Sequence, residues 1–212
     1  MFELLYQHFH EVDREVFERD LAEKDQVLLL WDERGALRGF STLRVWQDPE
    51  RDLTVLFSGD TIVDHAAWGS PALARGWLDA ALAVRAKADA PLWWLLICSG
   101  YRTYRFLPLF FREFWPRHDA PTPPEVAQLM EALARGRYGS LYHEGVVQLP
   151  RAARVRPEVG GLTEARLSNP HVAFFAAANP GHVHGDELVC LTRVDPANFT
   201  AAALRVLAAV ER

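Results

Sequence analysis

The 212-residue sequence predicts an α+β protein in which a mixed, mostly antiparallel sheet is flanked by helices. Two observations lead to this prediction. Short apolar runs separated by turn residues follow one another in the first third of the chain, which is typical of antiparallel strands. The continuous apolar run PLWWLLIC at 91–98 then lies between two helical segments, as expected of a strand buried on both faces. Strands followed by a strand-helix-strand crossover favour a mixed sheet.

Composition narrows the class of protein. Half of the residues are hydrophobic and 24% are charged, so the chain can bury one sizeable core. The net charge of -5 argues against general nucleic-acid binding, which usually needs a basic face. Cys98 and Cys190 lie inside apolar runs without metal-ligand spacing, which predicts buried thiols in a reducing compartment. The sequence shows neither a signal-peptide pattern nor an apolar run of roughly 18 residues, so we expect a cytoplasmic location and no membrane span.

The first elements follow from local patterns. Apolar residues at near-helical spacing between Leu5 and Leu21 predict an opening amphipathic helix. The segment 27–46 contains two apolar runs joined by a turn, which predicts a hairpin. The run LTVLFSGDTIV at 53–63 predicts a third strand, and Gly59 within it indicates a bulge.

A helix is expected to begin at Ser70 and Pro71 and to run to about Lys87, because serine caps a helix and proline has no amide to leave unpaired. The segment 100–116 predicts an aromatic-rich helix in which Pro108 introduces a kink or break.

The C-terminal part carries weaker signals. Thr122 to Glu125 form a T-x-x-E pattern that predicts a capping box, and Gly136 is expected to close that helix. Further strands are expected near 145–149 and 187–194, followed by an alanine-rich helix after Pro196.

This order of elements resembles the GNAT N-acyltransferase fold over roughly residues 1–118. The stretches that carry the resemblance are LLLWDERGALRGFSTLRV, LTVLFSGDTIVD, HAAWGSPALARGWLDAAL and PLWWLLICSGYRTYRFLPLFFREFWP. N-acyl amino acid synthases and acyl-homoserine-lactone synthases are similar alternatives with longer acyl donors. The resemblance implies that 1–118 forms an acyl-donor-binding core and that 119–212 completes the sheet and the acceptor side of the same domain. It also implies that the sheet opens between the strand ending near Asp64 and the strand at 91–98.

The resemblance also assigns donor-binding residues. In the family, a Q/R-x-x-G-x-G/A turn before a helix holds the donor's pyrophosphate on its amides. The matching segment is 67–72, which contributes Trp68, Gly69, Ser70 and Ala72. It has one glycine, and Pro71 removes an amide, so the donor is either acyl-CoA or an acyl carrier protein thioester. Arg102 and Arg105 are not assigned by the resemblance but lie three residues apart on the predicted helix, where they either bind phosphate or a substrate carboxylate or lie on a solvated helix edge.

Candidate catalytic residues come from three segments. Asp60 and Asp64 flank TIV on the predicted strand and would share a face, so either is a candidate base for an amine, although Asp64 also fits a turn cap. The resembled family often has a tyrosine acid for the leaving thiolate in the helix after the fifth strand. Phe110 and Phe111 occupy that position here, so the resemblance leaves Tyr101 or Tyr104, earlier in the helix, for this role if the helix starts differently. His182 and His184 are candidate bases near neutral pH or, in an extended segment, a possible metal-binding pair.

These observations predict an N-acyltransferase without a tightly bound cofactor. It would move an acetyl or fatty acyl group from a CoA or acyl-carrier-protein thioester to an amine of an amino acid, peptide or small molecule. The aromatic residues concentrated between Trp93 and Trp115 are compatible with a channel for a fatty acyl chain. Two alternatives stay open: a non-catalytic GNAT-like module that binds a ligand or protein in the same cleft, and a histidine-dependent metal hydrolase.

Overall fold

A computed structural model describes residues 1–150 and 152–209. It confirms the predicted α+β class, with helices on both faces of a mixed sheet. The α-helices of these residues are α1 (Phe2–His8), α2 (Arg14–Ala22), α3 (Ala72–Lys87), α4 (Tyr101–Tyr104), α5 (Phe106–Phe110), α6 (Pro124–Tyr138), α7 (Pro157–Gly160), α8 (Glu164–Leu167), α9 (Pro170–Ala178) and α10 (Ala201–Ala208).

The strands form one large and one small sheet. They are β1 (Phe9–His10), β2 (Gln26–Trp31), β3 (Leu37–Asp48), β4 (Leu53–Val63), β5 (Leu92–Cys98), β6 (Tyr142–His143), β7 (Val146–Val147), β8 (Arg154–Val155) and β9 (Glu187–Arg193). The described residues give a main sheet of order β2-β3-β4-β5-β9-β7-β6, while β1 pairs with β8. Within the main sheet β4 and β5 are parallel and the other pairs are antiparallel. The C-terminal part of the chain therefore contributes three strands of the described main sheet.

The predicted hairpin and bulge are both present. Strands β2 and β3 pair antiparallel across the turn at 32–36. Between β3 and β4 the register shifts, because Ser41 lies opposite Thr61 whereas Leu43 lies opposite Ser58. The extra residue on β4 falls at Gly59 and Asp60, and the added kink turns the end of the strand away from its earlier course.

Apolar layers cover both faces of the main sheet. One layer lies between the sheet and α3, α4, α5, α9 and α10, where the Trp77 and Trp94 rings pack with centroids 4.1 Å apart. The opposite face packs against α6 at one end and against α1 and α2 at the other. The strand β5 lies between β4 and β9 in the middle of both layers, as its apolar sequence predicted.

Helix boundaries depart from the predictions in three places. The opening helix is divided, because β1 interrupts it and Asp13 caps α2 by accepting from the amides of Glu15 and Val16. The helical segment after β5 ends at Phe110 rather than continuing to 116. The helix α6 has no side-chain cap among the described residues and passes through Gly136, ending at Gly139, whose φ of +56° suits glycine.

Both cysteines are buried free thiols, as predicted. The described helices include none with the length and apolar character needed to cross a membrane.

Candidate active site

An opening in the main sheet separates the upper parts of β4 and β5. Their parallel pairing runs from Thr54 and Leu92 to Ser58 and Leu96. Beyond this point β4 continues to Val63 without pairing to β5, and the two strand ends line a cavity of about 1050 Å³. The opening that the sequence resemblance predicted is therefore confirmed.

The cavity reaches both faces of the sheet. Leu73 of α3 and Phe106 of α5 line it on one face, which we call the α3 side. Asp20 of α2 and Tyr138 of α6 line it on the opposite face, which we call the α2 side. Two molecules that enter from opposite faces would therefore meet at the gap between β4 and β5.

The α3 side ends at the first turn of a long helix. Gly69, with a φ of +90°, turns the chain just before α3. The first hydrogen bond of the helix runs from the Arg75 amide to the Pro71 carbonyl at 2.8 Å, which leaves the amides of Leu73 and Ala74 without an intrahelical acceptor. Both residues line the cavity. Free amides and the positive end of the helix dipole favour an anion here.

An aromatic ring and a guanidinium group stand beside this helix end. The Arg102 guanidinium lies 3.9 Å from the centre of the Trp68 ring, and its Nε donates to the Val159 carbonyl at 3.1 Å. The Trp68 indole donates to the Val63 carbonyl at 3.0 Å.

Most of the predicted donor-binding residues meet at this place. Trp68, Gly69, Ser70 and Arg102 line the cavity. Ala72 and Arg105 lie outside the described cavity wall. Arg105 is exposed at the break between α4 and α5, which agrees with the interpretation that it lies on a solvated helix edge.

Carboxylates dominate the α2 side. The bulge places Asp60 on the cavity wall just after β4 leaves β5, and Glu187 begins β9 beside the end of β5. Asp20 joins them from α2 and forms an ion pair with Lys24 at 2.5 Å. Across the described residues, the carboxyl groups of Asp60 and Glu187 have neither a hydrogen bond nor an ion pair.

The two unpartnered carboxyl groups differ in acidity. Burial, with a smaller contribution from the charge of Asp20, raises the pKa of Asp60 to about 6. Burial, followed by the charges of Asp60 and Asp20, raises the pKa of Glu187 to about 8. At neutral pH Asp60 is therefore mainly ionised while Glu187 mainly keeps its proton. A pair separated in this way can supply a base and an acid to one reaction.

The end of α6 closes the α2 side. The Arg137 guanidinium lies 4.3 Å from the centre of the Phe57 ring, its Nε donates to the Tyr138 hydroxyl at 3.3 Å, and its Nη2 lies 3.8 Å from a Glu23 carboxyl oxygen. Burial is the main cause that raises the pKa of Tyr138 well above its ordinary value, so the hydroxyl stays protonated.

Asp64 lies outside the cavity wall described here, in contrast to the prediction that it shares a face with Asp60. It follows the end of β4, and the bulge breaks the alternation on which that prediction depended. Its carboxyl group accepts from the Ala66 amide at 2.8 Å and from Arg38 Nη1 at 3.1 Å, which holds its pKa below the ordinary value. These contacts support the turn-cap interpretation.

Tyr104 also lies away from the cavity. It is fully buried, and its hydroxyl donates to the Pro116 carbonyl at 2.9 Å. Because α4 begins at Tyr101, it is Tyr101 that reaches the cavity wall while Tyr104 points into the core. The position of Tyr104 contradicts the prediction of an acid at this residue.

His182 and His184 lie in a 3-10 helix, Pro180–His184, rather than in an extended segment, so they do not project from one side as a strand pair would. Neither lines the described cavity. The Nδ1 of His182 donates to the Asn179 carbonyl at 2.8 Å. The described residues contain no group of three or more potential metal ligands.

Glu187 was missed as a candidate catalytic residue from sequence. Its signal was an acidic side chain at the first position of an apolar strand, directly before LVCLT. Sequence gives the strand but not its neighbours, and only the pairing of β9 with β5 brings this residue to the opening.

Comparisons with known proteins give distant structural likenesses. No family model and no curated protein matches the sequence. A putative phosphinothricin N-acetyltransferase is 13% identical with a TM-score of 0.34, covering 52% of this chain and 73% of its own. Rv2747 from Mycobacterium tuberculosis, crystallised in complex with CoA, is 13% identical with a TM-score of 0.41, covering 90% of each chain.

N-acetylglutamate synthase from Neisseria gonorrhoeae, complexed with coenzyme A and N-acetyl-glutamate, is 14% identical with a TM-score of 0.35, covering 62% of this chain and 27% of its own. At these scores the likenesses carry no argument about chemistry. The mixed sheet and the opening between β4 and β5, both predicted from the sequence, are observed in the chain itself.

Proposed function

We propose that the protein is an N-acyltransferase that moves an acyl group from a thioester of CoA type to an amine. One observation carries the proposal: the cavity crosses the sheet where β4 and β5 part. It has helix amides without an intrahelical acceptor on the α3 side and, on the α2 side, two carboxyl groups that have no partner among the described residues. Acyl transfer between a phosphate-bearing thioester and an amine needs three parts: an anion site for the donor, a place where the thioester and the amine meet, and proton-transfer groups near the amine. They lie in this order from the α3 side to the α2 side.

The α3 side suits the donor. The amides of Leu73 and Ala74 and the guanidinium of Arg102 would face the donor's phosphate groups. CoA and acyl carrier protein present the same phosphopantetheine arm, so both are donor candidates. The cavity, about 1050 Å³, slightly exceeds the roughly 300–1000 Å³ typical of small-molecule sites, and its wall is mainly apolar, which supports room for an acyl chain longer than acetyl.

The α2 side suits the acceptor. Asp60, ionised at neutral pH, takes a proton from the incoming ammonium group, and the free amine attacks the thioester carbonyl carbon. The new carbon-nitrogen bond forms and the carbon-sulfur bond breaks. Glu187, which keeps its proton at neutral pH, gives that proton to the departing thiolate, and its carboxylate then takes the second proton from the acylated nitrogen, which leaves a neutral amide. Backbone amides of β4 that no longer pair with β5 are candidates to hold the carbonyl oxygen.

The test is a thiol-release assay with acetyl-CoA, octanoyl-CoA and octanoyl acyl carrier protein against a panel of amines, with the N-acyl product identified by mass spectrometry. The expected pH profile is bell-shaped. Activity falls below about pH 6, where Asp60 becomes protonated, and above about pH 8, where Glu187 loses its proton.

Matched variants assign the two limbs of the profile. Asp60→Asn is expected to lower kcat roughly 100-fold or more and to remove the acidic limb, and Glu187→Gln to remove the alkaline limb. Glu33→Gln, at an exposed position in the turn before β3, is the control and should behave as the unmodified protein. Donor binding without thiol release for any amine would instead support the non-catalytic module, and the absence of donor binding would reject both.

A further inference from the structure

The wall of the cavity is unevenly charged. Five carboxyl groups line it, against two guanidinium groups, within the part of the chain that the structure describes. The carboxyl groups are those of Glu11, Asp13, Asp20, Asp60 and Glu187. One guanidinium, that of Arg102, stacks on Trp68 on the α3 side, so the imbalance concentrates on the α2 side.

Existing contacts compensate only part of this charge. Glu11 forms an ion pair with Arg154, and Asp20 forms one with Lys24. Arg137, the guanidinium of the α2 side, already stacks on Phe57 and lies near Glu23.

Asp60 and Glu187 have no partner among the described residues, although burial is the largest cause of the raised pKa of each carboxyl group. Of the two, Asp60 is the one mainly ionised at neutral pH; an unpartnered carboxylate in a shielded cavity is costly, and a bound cation relieves that cost.

The remaining carboxyl groups follow the helix α2. Asp13 and Asp20 are seven residues apart, so they lie on the same side of the helix, separated by roughly 10 Å along its axis. Asp20 is close enough to Asp60 to influence its acidity, whereas Asp13 caps the outer end of α2 and is exposed. Carboxyl groups are therefore distributed from the gap in the sheet towards solvent.

We infer that the acceptor is a small linear diamine or polyamine, whose reacting amine lies at Asp60 and whose second ammonium group lies along α2 between Asp20 and Asp13. The inference rests on the proposed function and names the substrate class of the same site. An acceptor with a carboxylate at its far end would meet like charges along this wall. A neutral alkylamine would leave the α2 carboxyl groups without a cation.

Three acceptors of equal chain length test the inference: 1,4-diaminobutane, 1-aminobutane and 4-aminobutanoate, each with acetyl-CoA and octanoyl-CoA as donors. They differ only in the group at the far end. We expect kcat/KM to be at least about tenfold higher for the diamine than for aminobutane, with aminobutanoate lowest, because the second ammonium group of the diamine adds a contact with a carboxylate that a terminal methyl group cannot make. Similar values for the three acceptors, or a preference for aminobutanoate, would overturn the inference.

Two variants locate the second ammonium group. Asp20→Asn should lower kcat/KM for 1,4-diaminobutane more than kcat/KM for 1-aminobutane, so that the preference for the diamine falls. Because this variant leaves Lys24 without its ion pair, Asp13→Asn provides a second test in which the helix cap is retained. Asp13→Asn should lower kcat/KM for a longer polyamine, such as spermidine, more than kcat/KM for 1,4-diaminobutane. Glu15→Gln, exposed on α2 and away from the described cavity wall, is the control.

The outcomes separate this inference from the proposed function. Acylation of all three amines without preference overturns the acceptor class and leaves acyl transfer intact. Absence of acylation for every amine overturns both.

Discussion

Two aspartates four residues apart show how strongly surroundings decide the behaviour of one residue type. Asp64 accepts a backbone amide and pairs with Arg38, and its pKa falls. Asp60 is without such partners in the described structure, and burial raises its pKa to about 6. Sequence placed both on one strand face and offered a turn cap for Asp64 as an alternative. It could not decide between the two roles, because the outcome depends on a bulge and on an arginine that is 26 positions from Asp64.

The most strongly shifted carboxyl group of the cavity has a consequence for stability. The pKa of Glu187 is about 8 in the folded protein, against an ordinary value near 4.5. Between these values the folded state binds a proton that the unfolded state has released, so the free energy of unfolding falls as the pH rises through this window.

We therefore expect Glu187→Gln to be more stable than the unmodified protein at pH 8.5, by on the order of 2–3 kcal/mol, and to differ little at pH 5. Urea unfolding followed by circular dichroism at both pH values measures the difference. Parallel pH dependence in the two proteins would show that Glu187 ionises normally.

Elements were predictable where local pattern determined them. The strand β5, the hairpin of β2 and β3, and the bulge at Gly59 follow from apolar runs and from glycine in a strand. The errors arose where tertiary contacts decided the outcome. Pairing of β1 with β8 divides the opening helix, and packing of Phe110 and Phe111 into the core ends the helical segment after β5.

Gly59 allows a test of the bulge as an element. A methyl group at this position would lie 2.7 Å from the Thr42 Oγ1 and 2.8 Å from the Lys24 Cε. We expect Gly59→Ala to destabilise the protein by about 1–3 kcal/mol and to lower activity by displacing Asp60.

The matched control is Gly76→Ala in α3, where the added methyl group meets open space in the described structure. Replacing glycine by alanine inside a helix should raise stability by about 0.5–1 kcal/mol. Thermal unfolding compares the two, and equal effects would show that the bulge tolerates a side chain.

At the scale of the whole molecule, the cavity is built from parts distant in sequence. Helices α2 and α3, strands β4, β5 and β9, and the end of α6 each contribute to its wall. Resemblance over the first 118 residues predicted the opening and most of the α3 side. The α2 side combines the N-terminal helices with residues after 119, whose placement no local pattern specifies, and this is why Glu187 and Arg137 were not foreseen.

Access from both faces predicts direct transfer between two bound substrates. Cys98 lines the cavity, but burial raises the pKa of its thiol well above the ordinary value, so little thiolate forms to accept the acyl group. Initial-rate plots with varied donor and amine should therefore intersect rather than run parallel. Cys98→Ser should keep transfer within about threefold, and Cys190→Ser, buried away from the described cavity wall, controls for a hydroxyl in the core. An acyl adduct on Cys98 detected by mass spectrometry would contradict this route.

The incomplete pairing of β4 with β5 has a mechanical consequence. Hydrogen bonds join the two halves of the main sheet from Thr54 and Leu92 to Ser58 and Leu96, and beyond these residues β4 and β5 do not pair. Because β4 and β5 are paired at one end only, a small rotation of the two strands about Ser58 would widen the opening without breaking a hydrogen-bonded pair between them. A slight change in the twist of the sheet would then let the opening hold acyl groups of different thickness.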